Sequence, residues 1–479
     1  MDMGVRLTSA VAGLSMLLAG ITITQAAASP VAPVSVGPGS WIKLGPSQNA
    51  PAAVWRAPDN RDWVVWSSQN GRYSLVIVSP GGGLAAKPKT IVTGWSSVSF
   101  TPSLLGSGPR PLLVFSGQGP GPRLSQGCVV GALPASASWA IQSWTLSRDC
   151  TFANVGYGDA AENRSGVLSA AWAGGLGVEY RVGITSYPAA TPDSQISVGL
   201  AHAGAVAEAN DRSGKGHTYV AFYQFFSKNP GRDGVYVKDI TAGGPVLRAP
   251  GSGTNTVTNG PLITAMAAAS AHGGIYLAYC SNTATCKANL LWKAGAKKAI
   301  TIPGSATAKH LAMSQGPGGR LWLAWYNVDK NRVYVVRTNK AGNRFGPVES
   351  YRAPCFADGN THVALSGGSY GRVDVALECL AAVTARQTLY VTQSLAGLSI
   401  RASRSSIRNI QATAVTFTVT DAGDRVAGAK VKVDGKTVTT GKKGTVTIVF
   451  AKHAKPGRYR ATASLASYFS ASTAVVVKS

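Results

Sequence analysis

The sequence predicts an all-β protein in which about seven repeated β-sheets form a ring and a small β-sandwich follows. Three observations carry that expectation. A unit of roughly fifty residues recurs between residues 51 and 400. Its apolar runs alternate with a period of two, the signature of strands. After Gly397 the rhythm changes, and a new set of short alternating runs continues to the end of the chain. With 479 residues, the chain is also too long for one ordinary core.

Residues 1–28 read as a secretory signal peptide. Arg6 gives a short positive start, Leu7 to Ile23 is almost wholly apolar or small, and Ala26-Ala27-Ala28 supplies small residues at the exit. No later run has spanning length, so the mature chain is expected to be secreted or extracytoplasmic, with cell-wall association as one outcome.

Residues 29–400 are expected to form the ring. The first unit is PAAVWRAPDNRDWVVWSSQNGRYSLVIV (51–78), and the clearest later copy is KHLAMSQGPGGRLWLAWYNVDKNRVYVVRT from Lys309. Each has a short strand, a turn, a strongly apolar second strand and a further alternating strand. The second strands begin near 63, 112, 167, 218, 275, 321 and 373, which fits seven units better than six. Gly, Asn, Pro and Asp between the runs favour tight antiparallel connections. Sheets of this size packed around an axis leave no long exposed edge and make a β-propeller. Ser40 to Leu44 precedes the first full unit and is expected to complete the last one, pairing within residues 373–395.

Six cysteines admit fifteen pairings. Their clustering favours Cys128 with Cys150, Cys280 with Cys286 and Cys355 with Cys379, which requires an oxidising compartment. The spacing lacks the paired motif of a structural zinc site. His202, His217, His272, His310 and His362 are scattered near turns, so no metal and no cofactor is expected.

Residues 401–479 are expected to form an immunoglobulin-like β-sandwich. Val431 and Val433 alternate with Lys430 and Lys432, so one face enters a core and the other meets water. The series TFTVTD (416–421), VAGAKVKVDG (426–435), GKKGTVTI (441–448) and PGRYRATAS (456–464) resembles the bacterial immunoglobulin-like and carboxypeptidase-regulatory-like modules of secreted proteins. That resemblance implies a spacer, adhesion or stabilising unit and specifies no reaction.

Lys and Arg number 46 against 20 Asp and Glu, a formal charge of +26. In the tail, Arg401, Arg404, Arg408, Lys430, Lys432, Lys442, Lys443, Lys455, Arg458 and Arg460 concentrate this excess. A positive field attracts anionic wall polymer or acidic polysaccharide, and nucleic acid by nonspecific charge.

The ring is similar in repeat style to secreted sialidase-like and BNR-like propellers, through runs such as RLWLAW (320–325). In the sialidase family an arginine cluster, a tyrosine with an acid partner and an aspartate do the chemistry. This chain has no clear Asp-box and no arginine triad that can be transferred. SQGPGG at 314–319 lacks the phosphate-loop continuation, and no serine nucleophile elbow is present.

Loops after the second strands are therefore the place to seek a ligand site. Tyr223, Gln224, Lys228 and Arg232 form one set of candidate binding residues, and Tyr326, Asn327 and Lys330 another. For an enzyme, the candidates are Asp233, Asp329, Tyr223 and His362. The leading expectation is a non-catalytic binding or structural protein that recognises glycan or another envelope component, an extracellular protein included. The alternative is an extracellular carbohydrate-active enzyme, either a glycoside hydrolase or a polysaccharide lyase.

Overall fold

A computed structural model describes residues 38–48, 52–68, 72–79 and 83–91, and from 96 to 210 the strands with few of their connections. It further describes residues 216–225, 229–254, 256 and 265–268, and from 274 onwards all but 284–285, 357–360, 368–370 and 382–385. The expected export signal (1–28) and Lys228 lie outside the described residues.

The protein is all-β. Among the described residues, helical conformation is confined to two 3₁₀ turns, Pro230–Arg232 and Pro317–Gly319, and to Thr256, and no helix there is long and apolar enough to cross a membrane. Among the described residues before Ser399, seven sheets follow one another in sequence, each with four strands in simple antiparallel succession or close to it. The first consists of Ala53–Arg56, Asp62–Ser67, Tyr73–Val78 and Lys89–Ile91. The sixth consists of Ala308–Gln315, Leu321–Asn327, Arg332–Arg337 and Glu349–Arg352.

The first strands of successive sheets touch one another in order. The seventh sheet's first strand, His362–Ser366, returns to contact Ala53–Arg56, so the inner strands close a ring. Closure is completed at the outside by Ile42–Pro46, which pairs with Arg386–Gly397 and sets Ile42 opposite Val391. The N-terminal strand thus completes the last sheet, as its position before the first unit led us to expect.

The second strands depart from a simple one-face alternation. Every residue of Asp62–Ser67 and of Leu321–Asn327 is buried, because a sheet held between two neighbours has no solvent face. Alternate residues enter different cores. Trp63 and Val65 pack with Leu113 and Phe115 of the second sheet, while Val64 and Trp66 pack with Ala376, Leu389 and Val391 of the seventh. Likewise Leu321, Leu323 and Trp325 join the fifth sheet's core, and Trp322, Ala324 and Tyr326 join the seventh's.

Between the first and seventh sheets lies a buried ionic cluster of Arg56, Asp62, Arg372 and Asp374. Arg56 Nε meets Asp62 Oδ1 at 3.2 Å, Arg56 also pairs with Asp374, and Arg372 Nη2 approaches Asp62 Oδ2 at 3.5 Å. Burial raises the Asp62 carboxyl above its ordinary range, with the two arginines opposing the rise. Two cations and two anions in mutual contact offset the desolvation that any one of them would suffer alone.

Cys280 with Cys286 and Cys355 with Cys379 are disulfide-bonded. The second bond joins the end of the sixth sheet to the second strand of the seventh. Cys128 and Cys150 are register partners on adjacent strands.

From Ser399 the chain forms two further sheets, one built on Thr413–Asp421 and Thr445–Phe450, the other on Lys430–Val433, Gly457–Ser464 and Ala471–Lys478. Val415, Phe417 and Val419 of one share a core with Val431, Val433, Ala461 and Val475 of the other. The crossing from ring to tail is tight, since a Cβ on Gly397 would lie 2.8 Å from Pro347 Cβ.

Candidate functional site

In a four-stranded antiparallel sheet, the connection after the second strand and the one leaving the fourth emerge at the same end. Hydrogen bonds between these two kinds of loop build that end of the ring. In the fourth sheet, Asp233 follows Thr218–Phe225 and is fully buried. Thr254, in the connection towards the fifth sheet, donates its hydroxyl to Asp233 Oδ2 at 2.8 Å, and Arg248 Nη2 donates to the Asp233 carbonyl at 2.6 Å.

Tyr223 is equally buried, and its hydroxyl approaches the carbonyls of Gly253 and Thr254 at 3.4 and 3.3 Å. Burial, with the Asp233 charge adding to it, pushes its phenol up to about 12. Gln224 is buried beside it. Of this first set, Arg232 is exposed, and its carbonyl accepts the Tyr236 hydroxyl. Tyr223 and Gln224 therefore build the loop from within, where a surface ligand does not reach them.

In the sixth sheet the loop after the second strand bonds instead to the connection arriving from the fifth. Tyr326 is buried and donates to Asn331 Oδ1 at 2.5 Å. Asn327 Nδ2 donates to the Ala306 carbonyl at 3.2 Å, and its Oδ1 accepts the Lys330 amide at 2.9 Å, so its amide shapes the turn. Asp329 and Lys330 remain exposed, with Thr307 Oγ1 donating to Asp329 Oδ2 at 3.0 Å. Asp233 and Asp329 belong to the fourth and sixth sheets, with the fifth between them, and each accepts a threonine hydroxyl of its own neighbourhood.

His310 and His362 come together on the inner strands of the sixth and seventh sheets. Their rings meet edge to face with centroids 5.1 Å apart. His310 stands at a register shift with φ of 57°, a bulge that turns its side chain out of the regular ladder. Both rings are buried, and His362 lies opposite the buried Glu378 in strand register. Burial, with the neighbouring His310 adding to it, lowers His362 to about 3. It is therefore a neutral imidazole near neutrality, without the proton a general acid would give. Among the described residues no group of three or more His, Cys, Asp or Glu could hold a metal ion.

The opposite end of the ring carries the tail. Arg320 Nη2 contacts Asp424 Oδ2 at 2.6 Å, Arg337 pairs with Asp421, and the Lys340 amide donates to Asp424 Oδ2 at 2.9 Å. Arg337 also stacks near the rings of Trp322 and Tyr468, at 4.9 and 5.2 Å from their centroids. The sequence reading missed Arg320, Arg337 and Glu378. A signal for the first two existed: Asp421 and Asp424 are two of only three acids after residue 400.

These features define an all-β ring protein with an appended pair of sheets. No family model matches the chain, and no curated protein matches it. Among solved structures, it is similar to the polysaccharide lyase Uly1, at 11% identity over 74% of this chain and 90% of that one, with a TM-score of 0.47. It is also similar to the BP39L lectin from Burkholderia pseudomallei, at 15% identity over 73% and 96%, with a TM-score of 0.47. An α-L-arabinanase from Penicillium chrysogenum shares 9% identity over 75% and 99%, with a TM-score of 0.37. Likeness at this level carries no argument about ligand or reaction.

Proposed function

We propose that the chain is a secreted, non-catalytic binding protein for a glycan or related envelope component, with residues 29–400 as a propeller and 401–479 as an immunoglobulin-like sandwich. The observation that supports this reading most directly is the separate fate of the two candidate carboxylates. Asp233 is buried under Thr254, whereas Asp329 is exposed on a non-adjacent sheet, and glycosidase chemistry by two carboxyl groups needs them to flank one bond. His362, neutral and buried, does not supply the missing acid.

What the loop end offers is a surface with hydrogen-bonding and charged groups, Arg232, Asp329 and Lys330 among them, on a ring braced by the Cys280–Cys286 and Cys355–Cys379 disulfides. Those bonds suit an oxidising, extracytoplasmic setting. The deciding experiment incubates the purified full chain with a panel of neutral and acidic glycans, recording both retention and products. Retention without products is expected; turnover abolished by Asp329→Ala would replace this reading with a carbohydrate-active enzyme.

A further inference from the structure

The tail's two carboxylates nearest the ring are consumed by the ring itself. Asp421 is buried against Arg320 and Arg337, and Asp424 accepts from Arg320 and the Lys340 amide. The third tail acid, Asp434, sits in the hairpin turn between Lys430–Val433 and Lys436–Thr439. Docking therefore removes negative charge from the tail and leaves its outward cations without that internal counter-charge.

Register shows where those cations stand. On the sheet of Ser406–Arg408, Ala471–Lys478, Gly457–Ser464, Lys430–Val433 and Lys436–Thr439, the inward positions are Ile407, Val475, Val477, Ala461, Ala463, Val431 and Val433. The alternate positions face out. Arg408 lies opposite Lys478, Arg458 opposite Val476, Arg460 opposite Ala474, Lys432 opposite Thr462 and Lys430 opposite Ser464. All six cations are exposed.

Taken in spatial order, Arg408, Lys478, Arg458, Arg460, Lys432 and Lys430 step across four strands while advancing along them. Strand spacing and rise place successive Cα positions about 5 to 8 Å apart, in a diagonal stripe roughly 30 Å long. Hydroxyls flank it at Ser472, Thr462, Ser464, Thr437 and Thr439, and Arg460 Nη2 donates to Ser472 Oγ at 3.0 Å.

We propose that this stripe is a docking surface for a linear polysaccharide carrying carboxylates at regular intervals. The inference deepens the glycan reading by naming a partner for the tail. A line of cations matches a line of anions, arginine forks bind carboxylates in two-point fashion, and the hydroxyl rows suit sugar hydroxyls. Nucleic acid is disfavoured because the outward positions are Arg, Lys, Ser, Thr, Ala and Val, which give bases no ring to stack on.

The test titrates the full chain with polygalacturonate at low and physiological salt, beside duplex DNA, polyphosphate and a neutral glucan. Arg458→Glu with Arg460→Glu should weaken polygalacturonate binding by about tenfold or more. Lys442→Glu with Lys443→Glu makes the same change of charge at a turn outside the stripe and should alter binding by less than about twofold. Equal losses in the two variants would reduce the effect to net charge and overturn the proposal, as would no loss in either. Binding of DNA or polyphosphate as tight as that of polygalacturonate would overturn the assignment to a carboxylated glycan. If the double glutamate variant fails to melt like the parent, the glutamine pair serves in its place and is read by its shallower salt dependence. Neutral-glycan retention that survives in the stripe variants belongs to the ring, so the two readings fail separately.

Discussion

Arg337, the last residue of the sixth sheet's third strand, forms a buried ion pair with Asp421 of the tail, 84 residues away in sequence. Tyr468 also directs its hydroxyl towards Asp421 Oδ2 at 3.4 Å, and Arg320 Nε approaches the same oxygen at 3.1 Å. One carboxylate thus gathers two guanidiniums and fixes the tail to one end of the ring.

Asp421→Asn should accordingly lower stability by roughly 3–5 kcal/mol, since it leaves the buried Arg337 guanidinium without its counter-charge and Arg320 with Asp424 alone. Asp424→Asn, at a partly exposed position, should cost about 1 kcal/mol. Calorimetry of the full-length variants measures both, and equal effects would deny Asp421 its central place.

Ring closure depends on the strand Ile42–Pro46. A chain beginning at residue 50 should melt well below one beginning at residue 29, because the seventh sheet then exposes Arg386–Gly397 as an unpaired edge and uncovers Leu389 and Val391. Coincident melting curves would mean that closure rests on the inner strands alone.

Acid should act through His362. Its folded value is about 3 against an ordinary 6.5, so between those limits the unfolded chain binds a proton that the folded chain refuses. This contribution to stability is complete above pH 6.5 and falls as the pH drops towards 3, by a total on the order of 5 kcal/mol. His362→Gln should flatten that part of the pH profile, as followed by urea unfolding at several pH values. An unchanged slope would show that other groups carry the acid sensitivity.

The Cys355–Cys379 bond closes a segment with a sequence separation of 24, and the Cys280–Cys286 bond one of 6. Loop-closure entropy grows with the length enclosed, so replacing Cys355 and Cys379 by Ala should cost about 3 kcal/mol and more than the corresponding change at Cys280 and Cys286. Thermal melts of the two double variants decide the order.

In the second strand of the sixth sheet, Leu323→Ala should cost about 3 kcal/mol, since Leu323 is fully buried in the core shared with the fifth sheet. Val328→Ala, in the exposed loop that follows, should be nearly neutral. Denaturant midpoints of the two variants give the comparison.

Much of the architecture was legible because strand pairing writes itself into local composition. The recurring apolar second strands, the glycine-rich turns and the lone strand at 40–44 each found a place in the ring. The candidate site was less legible. Tyr223, Asp233, Tyr326 and Asn327 have the residue types of a sugar-binding loop, but those same aromatics, carboxylates and amides satisfy a loop's own backbone. Which use is made depends on a partner such as Thr254, 21 residues beyond Asp233 and in another connection.

The sequence by itself determined the β character, the repeat and the overall positive charge, since these follow from side-chain alternation and residue counts. Tertiary structure decided which charges remain available. Asp421 and Asp424 are drawn to Arg337 and Arg320 across the ring–tail junction, and strand register alone sets Arg408, Lys478, Arg458, Arg460, Lys432 and Lys430 in one line. The physical reason is that Coulomb interactions and hydrogen bonds act over a few ångströms of space, whereas the residues that share them lie tens of positions apart along the chain.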